Sequence, residues 1–313
     1  MDNYEILTNP PQERWNDIVI WTHDELEWKT SFADYDSYLN GHGRDNFKFL
    51  VAVHKETNKT AACICGNLFP SVDGSPQIFT IGLFYTHPDH RGTGLGKKLF
   101  EDLLKIGQGN NLYLNSVPEM TQKYSERSGF KHTASWKLKI VFMKVKDCDL
   151  TRVEIDESVK IASFKDVGID KIEKYDLLIG GGVRRKRFLE LFLTQSEAYN
   201  KFAVDDNGDV IGFCNARIAY GNHIIIGPYY ADSPAIGSTL LRKTLEFIPD
   251  FSSRSEIMTL LPHDNAPAFD IISKMTEGKL HVDMEMPRLF TEKVIEFPSE
   301  KVFNITEYDT NFY

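Results

Sequence analysis

The densest chemistry in this 313-residue chain lies in His87-Pro88-Asp89-His90-Arg91-Gly92-Thr93-Gly94-Leu95-Gly96-Lys97-Lys98-Leu99. Three glycines in five positions let the backbone turn tightly and aim successive N–H groups inward. Leu95, Leu99, Leu103 and Ile106 mark one face of a helix that begins there and adds its positive dipole end. An apolar run over 78–85 precedes the turn and reads as a strand. Strand, glycine turn and helix start together form an anion site suited to a phosphate or pyrophosphate. A Walker loop would need GxxxxGK[ST], but Gly92 stands only four before Gly96, and Lys98 occupies the place of the magnesium-binding Ser or Thr. ATP or GTP hydrolysis is therefore disfavoured. A dinucleotide GxGxxG beginning at Gly92 would need glycine at position 97, which is Lys97, so NAD is disfavoured as well.

Arg91-Gly92-Thr93-Gly94-Leu95-Gly96 resembles the R-x-x-G-x-G loop of the GNAT acyl-CoA-dependent N-acetyltransferases. The residues before it, Leu83-Phe84-Tyr85-Thr86-His87-Pro88, resemble that superfamily's fourth strand and its exit, and Lys97-Lys98-Leu99-Phe100 resembles the start of its third helix. Downstream, Tyr124-Ser125-Glu126-Arg127-Ser128-Gly129-Phe130 resembles the end of the family's fourth helix. The likeness covers roughly residues 1–147. It implies acetyl-CoA as cosubstrate, no metal, and an amine acceptor that is a small molecule, an amino acid, or a peptide or protein lysine. The pyrophosphate is expected on the loop amides from Arg91 to Lys97, with Gly94 and Gly96 leaving room. Arg91 would add charge or pin the loop, and Lys97 and Lys98 would meet the outer phosphates. The pantetheine arm is expected along Leu83, Phe84, Tyr85 and Thr86, where a strand N–H would polarise the thioester carbonyl. Tyr124 matches the tyrosine that protonates the departing thiolate; a phenol of pKa about 10 suits that transfer.

Two departures from the family pattern bear on the mechanism. Residues 78–85 contain no carboxylate to serve as general base. The asparagine expected about seven residues before the tyrosine is Val117, with Asn115 and Ser116 close by. His87, Asp89 and Glu119 are the remaining candidates for the base, the alternative being an amine that arrives neutral and loses its proton to water. The alternative to an enzyme is a noncatalytic acyl-CoA sensor or scaffold that keeps the loop and has lost turnover.

The elements that must position these residues read as mixed α/β. Asn9-Pro10-Pro11 starts a helix with Trp15, Ile18, Val19 and Thr22 on one face. Runs at 47–54 and 61–69 flank the polar hairpin 55–59; 112–117 is a short strand, 120–128 a short helix, and 136–145 a final strand. The second half repeats this order: a hairpin around Asp205-Asp206-Asn207-Gly208-Asp209, a strand at 224–230, a helix over about 238–247, a strand at 257–261 and a helix near 266–275. The acidic hairpin lacks calcium-loop spacing and reads as a β-turn. At a constant offset of 145, residues 81–85 fall on 226–230 and Leu112 on Ile257, as a duplicated fold would leave them. The expected architecture is two GNAT-like domains in tandem, 1–147 and 148–313. The same offset maps Arg91 to Ile236, Gly94 to Thr239, Gly96 to Leu241 and Tyr124 to Phe269, so the second copy is expected to be degenerate. Its run Gly180-Gly181-Gly182-Val183-Arg184-Arg185-Lys186-Arg187 reads as a solvated helix start, with an acceptor-side role as the competing reading. The stretch after Pro298 reads as an extra strand, a tail or a dimer contact.

Composition narrows the class. The chain is 42% apolar, 26% charged and 12% aromatic, which are globular values. Its net charge of −9 argues against nucleic acid, and no apolar run approaches the ~20 residues of a membrane helix. Residues 1–148 carry a net −1 and residues 149–313 a net −8, a further sign of two units. Four cysteines without ligand spacing, and an N-terminus without secretory character, point to reduced thiols in a cytosolic or nuclear setting.

Overall fold

The computed structural model describes residues 2–70, 77–311 and 313. The first half runs β1 (Tyr4–Thr8), α1 (Gln12–Leu26), α2 (Asp34–Gly41), β2 (Phe47–His54), β3 (Lys59–Phe69), β4 (Ile78–Thr86), α3 (Leu95–Ile106), β5 (Asn111–Asn115), α4 (Thr121–Ser128), β6 (His132–Thr133) and β7 (Leu138–Lys144). The second runs β8 (Lys160–Ala162), α5 (Phe164–Val167), α6 (Ile169–Ile179), α7 (Lys186–Thr194), β9 (Ala198–Val204), β10 (Val210–Ala219), β11 (His223–Ala231), α8 (Pro234–Leu245), β12 (Glu256–Pro262), α9 (Ala266–Thr276), β13 (His281–Met286), β14 (Arg288–Phe290) and β15 (Val302–Asn304). The repeated order expected from the sequence is present, and the fold is two mixed α/β sheets of like construction.

The sheets exchange strands. One has the order β1-β2-β3-β4-β5-β14-β6, the other β13-β7-β12-β11-β10-β9-β8. The strand expected to close the first half is found as β7, but it pairs antiparallel with β12 and β13 of the second sheet. In return β14 pairs with β5 and β6 of the first. Burial explains the placement. Leu138 and Ile140 of β7 enter a core shared by both halves, while Val141 and Met143 enter the core beneath the helices of the second. A strand apolar on both faces needs cover on both, and β7 has it where it stands.

The shared core is built from Trp15, Tyr38 and Phe49 of the first half and Phe188, Phe192 and Tyr230 of the second. Helices α2 and α7 meet closely there. A Cβ at Gly41 would stand 2.6 Å from Phe188 Cα, and His42 stacks on Phe188 at 4.3 Å between centroids. Across the same contact, Arg217 of β10 pairs with Asp34 of α2 at 3.1 Å, both side chains fully buried.

The constant offset of 145 holds for β4 against β11, for the first residue of β5 against that of β12, and for the first residue of α4 against that of α9. It fails between them. Eight residues separate β4 from α3, whereas only Asp232 and Ser233 separate β11 from α8. Ser233 accepts a hydrogen bond from Ile236 N–H and caps α8 at once. The expected equivalences of Arg91, Gly94 and Gly96 are thus corrected: the glycine turn has no counterpart in the second half, and extra residues after α8 restore the register. Phe269 does occupy the place of Tyr124.

Candidate active site

The loop between β4 and α3 carries left-handed backbone at Gly92 (φ 77°) and Gly94 (φ 82°), with open space around both. Only glycine takes that conformation without strain. Gly96 has another role: a Cβ there would lie 2.9 Å from Thr86 Oγ1 and 3.2 Å from Phe84, so its absence lets α3 close on β4. The first helical bond runs from Lys98 N–H to Gly94 O at 3.0 Å; Leu95 N–H reaches Thr93 Oγ1 at 3.4 Å, and Gly96 and Lys97 N–H have no acceptor in the helix. That turn holds no acidic residue, and Lys97 and Lys98 within it, expected to meet outer phosphates, pair with Glu101 and Asp102 one turn on. Helices ordinarily place carboxylates there. This helix start is set up for an external anion.

Arg91 does not reach outward with a free charge. Its Nε donates to Thr86 O at 3.0 Å, its Nη2 pairs with Glu25 Oε1, and Glu25 Oε2 accepts the Tyr85 hydroxyl at 2.5 Å. The hydrogen bond from Tyr85 and the Arg91 guanidinium hold the Glu25 carboxyl below its ordinary range. Of the two expected roles for Arg91, pinning the loop is the one its geometry serves.

Strands β4 and β5 are parallel partners only where Ile78–Thr80 faces Asn111–Tyr113, although β4 continues to Thr86 and β5 to Asn115. Leu83 sits in a bulge at φ 44°, held by Cys63 Sγ donating to Leu83 O at 3.3 Å. A non-glycine residue in that conformation costs on the order of 1 kcal/mol and recurs at ligand sites. The two strands thus part around a cavity of about 580 Å³. Ile81, Gly82, Leu83 and Phe84 line one side, Leu114 and Asn115 the other, and Phe100 and Tyr124 stand over the gap. The second half supplies much of the rest, including Met258, Met284, Met286 and Asp309.

Tyr124 packs against Phe100 at 5.4 Å and Phe130 at 6.1 Å. Its hydroxyl has no hydrogen-bond partner among the described residues, and burial raises its pKa. Asn115 Oδ1 accepts the Tyr113 hydroxyl at 2.7 Å, while its Nδ2 is buried and unpartnered at the cavity wall. The missing family asparagine thus has an amide nearby, two positions earlier than expected. Leu83 and Phe84 line the cavity; Tyr85 and Thr86 do not, and instead hold Glu25 and Arg91. The three candidate bases do not come together here. His87 packs on Trp21 at 4.7 Å and accepts Asp89 N–H, Asp89 and Glu119 are exposed, and none lines the cavity.

In the second half the equivalent gap is filled by the chain itself. Strands β11 and β12 pair only at Ile224–Ile257 and Ile225–Met258, and beyond that β15 lies against β11. Ile305 N–H donates to Leu260 O at 2.9 Å, and Asn304 Nδ2 donates to Ile226 O at 2.7 Å. The stretch after Pro298 is thus a strand followed by a buried segment. In the cationic run at the start of α7, Arg185 alone departs from a solvated helix start. Arg185 is fully buried on Asp176 at 2.6 Å and the Tyr313 ring at 3.8 Å, while Arg184, Lys186 and Arg187 pair with Glu173, Asp170 and Glu190. Among the described residues no group of His, Cys, Asp and Glu is placed to hold a metal, and no helix is long and apolar enough to cross a membrane.

Comparison with known proteins agrees with this geometry. Residues 4–130 match the acetyltransferase (GNAT) family and residues 172–302 match a second acetyltransferase (GNAT) domain. An uncharacterized protein of Caenorhabditis elegans is 25% identical over 255 residues, covering 77% of this chain and 76% of its own. Among solved structures, a putative acetyltransferase from Pyrococcus horikoshii superposes with a TM-score of 0.70 at 17% identity, covering 99% of this chain and 97% of that one. A tandem GNAT protein from the clavulanic acid biosynthesis pathway gives 0.65 at 14% identity, covering 92% and 98%. Saccharomyces cerevisiae N-myristoyltransferase with bound myristoyl-CoA gives 0.62 at 10%, covering 93% and 80%. At such identities the structural likeness speaks to the fold alone. With both halves matched and the glycine loop set beside parted strands, the chain belongs to the GNAT acetyltransferase superfamily and carries two GNAT domains in tandem.

Proposed function

We propose that the protein is an N-acyltransferase that moves an acyl group, acetyl as the first expectation, from coenzyme A to a primary amine. The observation that carries this reading is the conjunction of a glycine turn with an acid-free helix start at Gly92 to Lys97, the parted strands β4 and β5, and the unpartnered Tyr124 hydroxyl over the gap. The loop amides would take the pyrophosphate, and the bulged backbone at Leu83 and Phe84 would meet the pantetheine arm. A backbone N–H there would hold the developing oxyanion, an interaction worth about 3 kcal/mol in such sites. The Asn115 amide adds a second donor at the wall. Tyr124 would give its proton to the thiolate as the carbon–sulfur bond breaks. The second domain has lost the glycine turn, its gap is filled by β15, and Phe269 has no proton to give. We assign it a structural role, closing the acceptor side of the first domain's cavity. Tyr124 with an intact gap favours turnover over a noncatalytic sensor.

Calorimetric titration with acetyl-CoA is expected to show one site per chain. Gly94→Val should weaken it at least tenfold, because a β-branched residue is strained at φ 82° and covers the amides. Tyr124→Phe should keep that affinity and lower thiol release with accepted amines about 100-fold. Absence of acetyl-CoA binding by the wild type would remove the proposal.

A further inference from the structure

We propose that Asp309 receives the ammonium group of the acceptor and takes its proton, and that the acceptor is accordingly a primary amine on an apolar body. This rests on the acyl-transfer reading above, and it supplies the base that the first domain lacks.

The argument starts from the two faces of β4. Phe79, Ile81 and Phe84 pack with Leu95, Leu99 and Phe100 beneath α3. Thr80 and Gly82, at alternate positions, face the other way, and segment 305–311 lies on them. Thr80 Oγ1 donates to Thr310 O at 2.6 Å, and a Cβ at Gly82 would come within 1.9 Å of Asp309 O. Asp309 is therefore held against β4 just beyond the point where its pairing with β5 ends. Tyr124 stands on the α3 side and Asp309 on the opposite side, and both line the same cavity.

Two carboxylates on this segment are treated differently. Glu307 accepts Thr310 N–H at 3.0 Å, Asn311 N–H at 2.7 Å and the Thr310 hydroxyl at 2.8 Å. It is spent on folding the turn. Asp309 is only 4% exposed, Oδ1 is buried without a partner, and neither oxygen accepts a hydrogen bond among the described residues. Buried polar groups are satisfied in the great majority of cases, and this unpaired carboxylate belongs to a residue that lines the cavity, where a donor from outside would meet it. Facing it are Glu307 and Tyr308 on its own segment, Asp34 and Tyr38 on α2, Arg217 on β10, and Cys63 and Cys65 on β3. The one cation among them, Arg217, is already forked on Asp34 at 3.1 and 3.3 Å. Burial and Glu307 raise the Asp309 pKa, which matches it to a proton-accepting task. The remaining wall is mostly apolar, with Leu26, Trp28, Phe142, Met258, Met284 and Met286, and its other carboxylates, Glu27 and Asp283, are exposed, so the buried part suits a hydrocarbon or aromatic body.

The proton account closes. Asp309, after yielding any resting proton to water as the cation docks, takes one proton from the ammonium. The freed nitrogen pair forms the N–C bond, and the C–S bond breaks with its electrons on sulfur. The thiolate takes the Tyr124 proton, the product nitrogen gives one back to the phenolate, and Asp309 releases its own to water. One thiol, one amide and one proton result.

The test uses the full chain saturated with coenzyme A, titrated with 2-phenylethylamine, hexylamine and spermidine at pH 7 in two buffers of different ionisation enthalpy. The wild type should bind the first two more tightly than spermidine and release protons on binding, read as a difference in enthalpy between the two buffers. Asp309→Asn should bind them at least tenfold more weakly and release none. With acetyl-CoA, Asp309→Asn should lower kcat/KM for 2-phenylethylamine about 100-fold at pH 7, less toward pH 10 where the amine arrives neutral, with acetyl-CoA affinity unchanged. Equal binding and rates in wild type and variant, or no binding of either apolar amine by the wild type, would overturn the assignment of Asp309. Loss of acetyl-CoA binding in the wild type would instead strike the acyl-transfer reading itself.

Discussion

A buried carboxylate without a donor is a liability to folding, and Asp309 is placed as one. In the folded chain burial and the neighbouring Glu307 raise its pKa, so it keeps a proton that the unfolded chain gives up near pH 4. A group raised in this way contributes stability that is present below its unfolded pKa and lost as pH rises through the folded one. Asp309→Asn removes that loss. The variant is expected to match the wild type near pH 4 and to exceed it by about 1–3 kcal/mol at pH 8, a shift in Tm of roughly 2–4 °C per kcal/mol. Scanning calorimetry from pH 4 to 8 checks this. Wild type and variant with parallel pH dependence would show that Asp309 is solvated or already paired. Gained stability alongside lost amine binding is the signature of a residue kept for chemistry.

The glycine turn shows how much of an element the sequence makes legible. Gly92 and Gly94 were readable because positive φ and close backbone approach narrow the choice of residue, and α3 because its apolar face repeats every three to four residues. Glu25 was not readable. It stands in the last turn of α1, sixty-six positions before Arg91, and neither propensity nor spacing joins the two. The same holds for segment 305–311, whose Thr306-Glu307-Tyr308-Asp309-Thr310-Asn311 is polar enough to pass for a tail yet is largely buried by the other half. The second-half alignment failed at its loop because a constant offset cannot register a deletion compensated after the next helix. Glu25 and Arg91 together test the element. If Arg91 serves as a pin, Glu25→Gln and Arg91→Gln should each weaken acetyl-CoA binding about tenfold, and the double variant no further. Hydrogen exchange at 87–94 should rise equally in all three. A double variant that loses the product of the two effects would mean that Arg91 also contacts the ligand.

At the scale of the whole molecule, the exchange of β7 and β14 decides whether the halves are independent. The boundary proposed from sequence, between 147 and 148, falls just after β7 and looks clean on the chain. In space, residues 1–147 alone would lack β14 between β5 and β6, and would expose both edges of β7, whose partners are β12 and β13. They would also lose segment 305–311 from the face of β4 and Arg217 from Asp34, leaving a buried carboxylate without its cation. Residues 148–313 would lose β7 from between β12 and β13 and would bare the apolar faces of Phe188 and Phe192. Neither piece can cover its core, so each should aggregate when expressed alone, and exposed strand edges make that the expected route. Co-expressed as two chains, they should copurify as a one-to-one complex that binds acetyl-CoA, since every exchanged contact can re-form without the covalent link. The intact chain should unfold in a single transition. A soluble 1–147 fragment with a dispersed amide spectrum would contradict the argument, and would place the first domain's stability in its own helices rather than in the strand it borrows.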